Sequence, residues 1–411
     1  MASLRNVAAL IAAIAILQIS GGLLGVRLPL GFVVEGNSRT ALGLVAACYS
    51  AGFMLGAAVA TTLLSRVGHI RVYAACAAIF AAATLALHFV DGVWGWGLAR
   101  MIAGVAVALL FAAVESWLAS SILAKERGEV MSIYMVATKA ALAFGPYLAF
   151  SAQPAAPEPW MIAAAIGALS MVPICFTSTE QPAPPKATPL ALVEQFQTAP
   201  AAVIASFGAG LVNGGVLALA PLFAVEHFGA QRASEFYSAA WTGSLLLQWP
   251  AGRFSDRMDR RVVIAALNVL AAAAAFVLAL FGAGLPVWAA ILTFFIWGAG
   301  ALSFYGIGVA HMADRAEQGK LAQSASGLLF VWAGGAIVGP LLLGPIVDLW
   351  GVGGMFWFAA LAAAGLAIAM FWRSGARPPA EEAHKEEFAP YPASSVAAAE
   401  IVYGDDQPPH P

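Results

Sequence analysis

The sequence predicts an all-α membrane protein in which twelve transmembrane helices form two six-helix repeats. Three observations lead to this prediction: an apolar composition, a series of apolar runs long enough to span a bilayer, and short motifs that recur in the second half of the chain. Of the 411 residues, 61% are hydrophobic and only 10% are charged, whereas a soluble domain carries about 25% charged residues. This composition excludes a soluble globular protein.

Apolar runs of the length that crosses a bilayer, about 20 residues, occur twelve times along the chain. The first run follows Arg5 and could be mistaken for a signal peptide, but it continues to Pro29, so we interpret it as a helix. The twelve runs lie at approximately 7–30, 41–64, 72–90, 97–121, 130–150, 160–177, 201–224, 236–252, 262–282, 286–310, 322–346 and 353–372.

The Lys and Arg residues are distributed unevenly between the two sides that these runs define. Fifteen of the 20 fall on the side of the N-terminus, three fall on the opposite side, and Arg100 and Lys139 lie within helices. Because Lys and Arg accumulate on the cytoplasmic side of a membrane protein, both termini are predicted to be cytoplasmic. The expected location is a bacterial inner membrane.

Short motifs from the first half of the chain recur in the second half at offsets between 191 and 194 residues. Such an internal repeat is typical of transporters whose halves rock around a central site. The matched pairs are Gly21 and Gly214, Pro29 and Pro221, Glu35 and Glu226, and Gly145 and Gly339.

The repeat divides the chain into an N-terminal half at 1–178 and a C-terminal half at 201–373. The segment between them, 179–200, is rich in proline at first and is predicted to be a cytoplasmic linker. Residues 374–411 are rich in Pro, Ala and Glu, and this composition predicts a disordered cytoplasmic tail.

The stretch GRFSDRMDRR at 252–261 resembles the conserved cytoplasmic loop of the major facilitator superfamily, with Asp259 where a second glycine is usual. Arg100 with Gly104 is similar to the helix 4 motif of that family. The run VESWLASSILAKERGEVMSIYM at 114–135 resembles a bacterial subgroup with an ESWL segment in helix 4. The resemblance covers about residues 5–373 and implies a secondary transporter that works by alternating access.

This resemblance also assigns a gating role to the loop. Glycine permits close helix approach, and arginines hold the loop at the anionic inner leaflet. The resemblance implies that Asp256 docks near Gln323, at the start of helix 11, where the helix dipole favours a carboxylate. The alternative is that these arginines reflect membrane topology alone. The gating residues are Gly252, Asp256, Arg257 and Arg260.

Three charged residues, Arg100, Glu115 and Lys139, fall inside predicted membrane helices. A short turn near 122–129 makes helices 4 and 5 antiparallel, so Glu115 is level with residue 134 and Lys139 is roughly 7–8 Å deeper. Glu115 and Lys139 are therefore predicted to form an ion pair, with Arg100 facing the cavity. Two alternatives remain open: Glu115 binds a proton while Lys139 binds substrate, or Glu115 lies close to the headgroups and snorkels.

Aromatic and amide side chains on the helices that the family resemblance places around a central cavity supply further candidates. Planar rings combined with a few amides suit a flat, polar heterocycle. We therefore expect proton-coupled uptake of a vitamin-like solute, with riboflavin as one candidate. The additional binding candidates are Gln18, Asn213, Trp241, Gln248, Trp249, Trp297, Tyr305 and Trp332.

Two other functions remain open at this point. Proton-coupled efflux is one, although AFGPYLAF at 143–150 has Ala149 and Phe150 where antiporters of the family carry glycines. A non-transporting membrane sensor or scaffold, with 374–411 as its interaction arm, is the other.

An enzyme is not expected, because no glycine-rich stretch has the strand-turn-helix context of a phosphate-binding loop. No cofactor, metal or nucleic-acid partner is predicted. The expected partners are a small-molecule solute, protons and membrane lipid, and the expected state is a monomer.

Overall fold

A computed structural model describes most of the chain. The described residues are 2–122, 126–148, 156–177, 182, 192–317, 321–376, 378, 385, 388, 391 and 393–395, apart from the side chains of 2–6, 321–323 and 325. Most of the predicted linker, as well as Ala149, Phe150 and the side chain of Gln323, lies outside this set.

All twelve predicted runs coincide with helices or with helices that a short break interrupts, which confirms the predicted fold class. In chain order the helices are α1 (Ala2–Val34), α2 (Arg39–Val67), α3 (His69–Ala86), α4 (Gly92–Ser121), α5 (Arg127–Phe144), α6 (Glu158–Leu169), α7 (Met171–Cys175), α8 (Leu192–Thr198), α9 (Pro200–Phe228), α10 (Ala233–Arg257), α11 (Arg260–Phe281), α12 (Val287–Ala301), α13 (Phe304–Ala313), α14 (Leu321–Trp350) and α15 (Gly354–Ala376).

Ten segments within the described ranges are long and apolar enough to cross a membrane on their own. The fifth and eighth predicted runs, which form α5 and α10, are not among them. These two helices carry the polar residues Lys139, Ser244 and Gln248. They also pack against each other, one from each half of the molecule. Their polar faces are therefore turned towards protein rather than lipid, as a membrane requires.

Two spans are interrupted, and one of the breaks is stabilised from a neighbouring helix. The α6–α7 span breaks at Ser170, and the α12–α13 span breaks at Leu302 and Ser303. The Ser244 hydroxyl of α10 donates a hydrogen bond of 2.9 Å to the carbonyl of Leu302. Because a free carbonyl inside a membrane is costly, this bond allows the second break to sit between packed helices.

Close helix approach within each half depends on glycine. In the first half, a Cβ atom on Gly52 or Gly104 would overlap backbone atoms of the partner helix in the α2–α4 contact. In the second half, the same is true of Gly210, Gly335 and Gly339 in the α9–α14 contact. Small residues of this kind allow membrane helices to pack backbone against backbone.

Successive spans alternate in direction, so the connections fall at two ends of the bundle. We call the end with the turns at 35–38 and 351–353 the outer end, and the end with Gly68 and the turn at 258–259 the inner end. The Lys and Arg distribution predicts that the inner end is cytoplasmic.

The two halves are joined at the outer end by α2 and α14. The Asp348 carboxylate accepts hydrogen bonds from the backbone N–H of Arg39 (3.0 Å) and Thr40 (2.8 Å), and from the Thr40 hydroxyl (2.6 Å). Gly344 also lies directly against the backbone of Arg39 and Thr40. A carboxylate from one half therefore caps the first turn of a helix in the other half.

A second contact joins α5 and α10 near the same end. The Ser234 hydroxyl donates to the carbonyl of Pro146 at 2.8 Å. Gly25 of α1 lies so close to the Tyr237 ring that a Cβ atom would overlap it. The outer end is therefore closed.

Some residues of the predicted tail are packed against the helices. Helix α15 includes 374–376, and Phe388, Tyr391, Ser394 and Ser395 are all buried. Composition averaged over 374–411 hides these apolar and hydroxyl side chains among the Pro, Ala and Glu residues around them. Disorder of the tail as a whole stays a prediction, because most of its residues lie outside the described set.

We expect Asp348→Ala to destabilise the protein by about 1 kcal/mol, the usual cost of losing a side-chain cap on a helix N-terminus. Asp91→Ala is a suitable control, since Asp91 is the N-cap residue of α4 but makes no side-chain capping bond. Thermal unfolding of the two purified variants measures the difference. An equal loss from both would show that Asp348 does not act as a cap between the halves.

Candidate functional site

Lys139 is the buried cation that links the two halves near the middle of the bundle. It lies on α5 and is 7% exposed. Its ammonium group donates to the Ser244 hydroxyl at 2.6 Å and to the Gln248 amide oxygen, both on α10. No carboxylate pairs with it in the part of the chain that the structure describes. Its positive charge is hydrogen-bonded but not neutralised.

The predicted ion pair between Glu115 and Lys139 is absent. The reason is helical geometry, because Lys139 follows residue 134 by five positions, which is about 140° around a helix. Residue 134 therefore faces α4 and Glu115, while Lys139 faces the other half. Counting residues along the antiparallel pair gave the depth of Lys139 correctly but not its direction.

Glu115 is fully buried on α4 and is surrounded by hydroxyl groups. Tyr134 donates to its carboxylate at 2.5 Å, and the tail residues Ser394 and Ser395 each donate to one of its two oxygens. No cation neutralises it within the described ranges. Glu115 therefore does not snorkel to the headgroups.

Arg100 lies deeper towards the outer end, where α4 meets α2 and α10. Its guanidinium stacks over the Tyr49 ring at 3.9 Å from the ring centroid, and the Tyr237 ring is nearby. None of the carboxylates that the structure describes forms a salt bridge with it. Arg100 and Lys139 are thus two cations held between helices without acidic partners.

Two further candidate residues carry a buried polar atom without a hydrogen bond. The amide oxygen of Asn213 and the indole N–H of Trp297 are buried and have no partner among the described residues. Gln18 is half-buried on the same face of α1 as Gly25, two turns away. Buried polar groups are normally satisfied, so these two unpaired atoms are exceptions among the described residues.

The predicted aromatic residues separate into three groups. Trp249 is 51% exposed and lies under Arg253, at 4.5 Å from ring centroid to guanidinium, so it faces the outside of the bundle. Trp297 is fully buried in a stack with Phe294 and Phe236 inside the second half.

Only the third group remains near the interface between the halves. Tyr305 and Trp332 have ring centroids 6.4 Å apart, and Trp332 in turn meets Phe53 of the first half at 6.2 Å. Trp241 is half-buried beside Tyr237. Trp249 and Trp297 therefore do not lie at this interface, because helix membership alone does not fix which face a ring occupies.

The predicted gating loop is held mainly by ion pairs within the second half. Arg260 is 1% exposed and makes two hydrogen bonds to Asp314, of 2.7 and 3.1 Å, with a further salt bridge of 3.0 Å to Asp256. The sequence analysis placed the arginines of this loop at the inner leaflet, but Arg260 is buried and does not reach the lipid. Arg257 is exposed and remains available to a membrane surface.

Asp259, which replaces the usual glycine, has a clear structural role. It is the N-cap residue of α11 and accepts the backbone N–H of Arg261 at 2.9 Å, together with hydrogen bonds from the Arg261 side chain. Partial burial acts to raise the pKa of this carboxyl, but the bonds from Arg261 outweigh it and hold the pKa below its ordinary value. The departure from the family pattern supplies a helix cap.

Gly252 and Asp256 of the predicted gating loop both contact the tail. Gly252 lies inside α10, and the group that approaches it is the Phe388 ring of the tail. Asp256 accepts the backbone N–H of Phe388 at 3.0 Å in addition to pairing with Arg260. The predicted docking of Asp256 near Gln323 involves a side chain outside the described residues.

Sequence reasoning missed several residues that complete these contacts. Tyr134 had a usable signal, because it occupies the position that the antiparallel count placed level with Glu115. Ser244 lies one turn from Gln248 on the polar face of α10. Tyr49, Tyr237 and Asp314 carried no pattern of their own and become visible only through the fold.

The sequence model of the Major Facilitator Superfamily matches this chain over residues 10–246 and 203–403. The chain belongs to the Major Facilitator Superfamily.

Known relatives and solved structures agree with this assignment. The chain is 27% identical over 343 residues to an uncharacterized MFS-type transporter, YcaD of Escherichia coli, with 82% of this chain and 87% of the relative covered. Its fold is similar to that of the nucleoside transporter NupG, with a TM-score of 0.73, 16% identity, and 89% and 98% of the two chains covered. A D-xylose–proton symporter has a TM-score of 0.70 at 15% identity, with 90% and 97% covered. At these identities the solved structures show a common fold.

Membership of the superfamily makes this a multi-pass membrane transporter and not an enzyme. In such folds the substrate site lies near the bilayer midplane, between the repeats. Lys139 and its α10 partners lie between the two halves.

We expect Gln248→Leu to destabilise the protein by about 1–3 kcal/mol, because it removes one of the hydrogen-bond acceptors of the buried Lys139 ammonium. Lys139→Met removes the buried charge itself, so the apparent stability should be unchanged or higher. In the Lys139→Met background the further change Gln248→Leu should cost little. Thermal unfolding of the four proteins measures this cycle. Equal losses from Gln248→Leu in both backgrounds would show that the two side chains are not coupled.

Proposed function

We propose that this protein is a secondary active transporter for a small organic anion, which it binds between its two halves. The observation that carries this proposal is the pair of interior cations, Arg100 and Lys139, that no carboxylate neutralises in the described structure. The sequence alone favoured a flat heterocycle held by aromatic rings and amides. The positions of Arg100 and Lys139 add a requirement for negative charge.

The energetic argument concerns desolvation. An unpaired cation in a low-dielectric interior costs free energy, and such residues in membrane proteins generally mark a substrate or ion pathway. Lys139 recovers part of this cost through Ser244 and Gln248, and Arg100 through the face of Tyr49. A bound carboxylate or phosphate would supply the missing countercharge. Arg is suited to hold such a group with two parallel hydrogen bonds.

The rings near the cations favour a planar solute body. Tyr49, Tyr237 and Trp241 lie around Arg100, and Tyr305 and Trp332 lie farther towards the inner end. Aromatic side chains stack on flat ligands while a few polar groups fix their orientation. Gln18 and Asn213 are the amides available for that purpose. We therefore infer a flat organic acid rather than a neutral heterocycle such as riboflavin.

Glu115 is the residue we propose for proton coupling. It is buried without a cationic partner in the described part of the protein, and its three neighbours are hydroxyl groups. A hydroxyl can donate to an ionised carboxylate and accept from a protonated one, so the same surroundings accommodate both forms. The second buried acid, Asp314, is neutralised by Arg260 and is not available for this role.

The closed outer end fits a carrier whose solute site opens to the inner side. Asp348 and Gly344 hold α14 on α2, and Ser234 holds α10 on the end of α5. Lys139 lies farther towards the inner end than these contacts, and we propose that the solute reaches it from that side. We propose that rocking of the halves about this region alternates access between the two sides, in an inner membrane with both termini cytoplasmic.

A thermal-shift panel on the purified protein tests the proposal. It uses matched acids and amides: nicotinate and nicotinamide, benzoate and benzamide, riboflavin phosphate and riboflavin. A ligand at 100 times its dissociation constant stabilises by about 2.7 kcal/mol. We expect shifts with acids and smaller or no shifts with their neutral partners. Shifts confined to neutral compounds would contradict the proposal. Shifts confined to lipophilic cations would also contradict it and would favour drug efflux.

We expect Arg100→Gln to bind the acid that gives a thermal shift at least tenfold more weakly than the unsubstituted protein does. This is a loss of about 1.4 kcal/mol. Arg253→Gln is the matched control, because Arg253 also stacks on an aromatic ring but at the outside of the bundle. Titration of each variant followed by its thermal shift measures both affinities. Equal loss from the two substitutions would show only a general effect of positive charge.

A further inference from the structure

The inner end of the bundle differs from the outer end in what joins the two halves. At the outer end, helices from the two halves touch directly, through Asp348 and Gly344. At the inner end, a segment of the C-terminal tail lies between them. We define the tail segment as the described residues Lys385, Phe388, Tyr391 and 393–395.

The first part of the tail segment is bound to the second half. Lys385 donates to the carbonyls of Met258 (3.1 Å) and Asp256 (3.4 Å), at the C-terminal end of α10, where a cation complements the helix dipole. The backbone N–H of Phe388 donates to the Asp256 carboxylate at 3.0 Å. The Phe388 ring covers Gly252 and approaches Gly306. These contacts combine charge, a directed hydrogen bond and an apolar ring.

The next contacts lie deeper in the interior. Tyr391 is 2% exposed, its backbone lies against Gly306, and its ring centroid is 6.2 Å from that of Tyr305. The Tyr305 ring contacts that of Trp332, and the Trp332 ring contacts that of Phe53 in the first half. The tail segment therefore extends the row of aromatic rings that leads towards the middle of the protein.

The last contacts of the tail segment are with the first half. Ser394 and Ser395 both donate to the buried Glu115 of α4. Glu115 precedes the end of α4 at Ser121 by six residues, so it lies about 9 Å inside the bundle. The described residues of the tail segment thus contact the second half at Lys385 and Phe388 and the first half at Ser394 and Ser395.

We propose that the inner mouth of this transporter is a binding site for its own tail segment, which acts as a plug. While bound, the plug occupies the route from the inner side to Lys139 and ties Glu115 to Ser394 and Ser395. It also separates the inner ends of the halves, which must approach each other if the molecule is to open outward. The plug would therefore inhibit transport and hold the inward-facing state. Only the inhibition of transport rests on the proposed function; the binding site does not.

Three features of the site indicate specific recognition of this peptide. Glycine stands at 252, where a Cβ atom would overlap the Phe388 ring. The hydroxyls of Ser394 and Ser395 satisfy a carboxylate that would otherwise lie at the interface with Tyr134 as its remaining partner. Asp256 and the end of α10 supply acceptors for Phe388 and Lys385. A tail held by apolar contact alone would need none of these hydrogen bonds.

The test is the rate at which a sulfonated, membrane-impermeant maleimide labels a cysteine at position 18 in purified protein. The background has Cys48, Cys76 and Cys175 replaced by alanine. Because the outer end is closed, Gln18→Cys is reached through the inner mouth. Truncation after Ala376 should raise the labelling rate at least tenfold. An unchanged rate in the truncated protein would overturn the proposal.

A point substitution removes the concern that truncation disturbs the fold. Gly252→Ala places a methyl group against the Phe388 ring and should raise the labelling rate at least threefold. Gly128→Ala is the matched control, because open space surrounds that glycine at the inner end of α5, and it should leave the rate unchanged. Equal rates in the two variants would contradict the proposed contact.

A synthetic peptide of residues 385–395 provides the complementary measurement. Added to the truncated protein, it should restore slow labelling of the cysteine at position 18, and a peptide with Ser394→Ala and Ser395→Ala should do so at least tenfold less effectively. Identical protection by both peptides would overturn the role of Glu115. No solute is needed in any of these measurements, so failure of the anion proposal would leave their outcome unaffected.

Discussion

The structure depends on how two unneutralised cations are kept inside a membrane protein. Arg100 and Lys139 each belong to the first half, yet each is completed by groups from α10 in the second. Neither half alone could satisfy them, and a membrane offers no water to do so. The α5–α10 contact is consequently polar where most helix contacts in the bundle are apolar. This explains why these two helices fall outside the set that hydropathy identifies as membrane spans.

Other features follow from keeping that contact protected. Glycines bring α2 onto α4 and α9 onto α14 within the halves, and Asp348 and Gly344 close the outer end between them. The break between α12 and α13 brings the Leu302 carbonyl to Ser244, which also receives a hydrogen bond from Lys139. The lysine is therefore connected through one serine to the discontinuity of the tenth span. A discontinuous helix beside the central site is a recurrent arrangement in transporters.

The sequence was sufficient for the fold because hydropathy and repeated motifs are averages over many residues. Individual contacts depend on direction as well as depth. The antiparallel count placed residue 134 beside Glu115 correctly, but the turn of the helix sends Lys139 to the other half instead. Trp249 and Gln248 are adjacent in sequence, yet one faces outward over Arg253 and the other binds Lys139. The different directions of such adjacent side chains can be predicted only when the packing of α10 is known.

The family resemblance was accurate for membership, and the structure adds contacts that the resemblance did not imply. Gly252 and Asp256 match the superfamily loop, but in this protein both contact the tail, whose composition suggested disorder. Asp259 departs from the pattern and caps α11. The proposed ligand site likewise includes side chains that have no motif, such as Tyr49 and Tyr237. Their roles come from the three-dimensional arrangement around Arg100.

Uptake of radiolabelled solutes into proteoliposomes tests the central claim most directly. Matched acids and amides are offered to the protein truncated after Ala376, and to the same truncated protein with Lys139→Met. If Arg100 and Lys139 form an anion site, the acid is taken up and its amide is not, and Lys139→Met abolishes the uptake. Uptake of the neutral amides that persists in Lys139→Met would contradict the account.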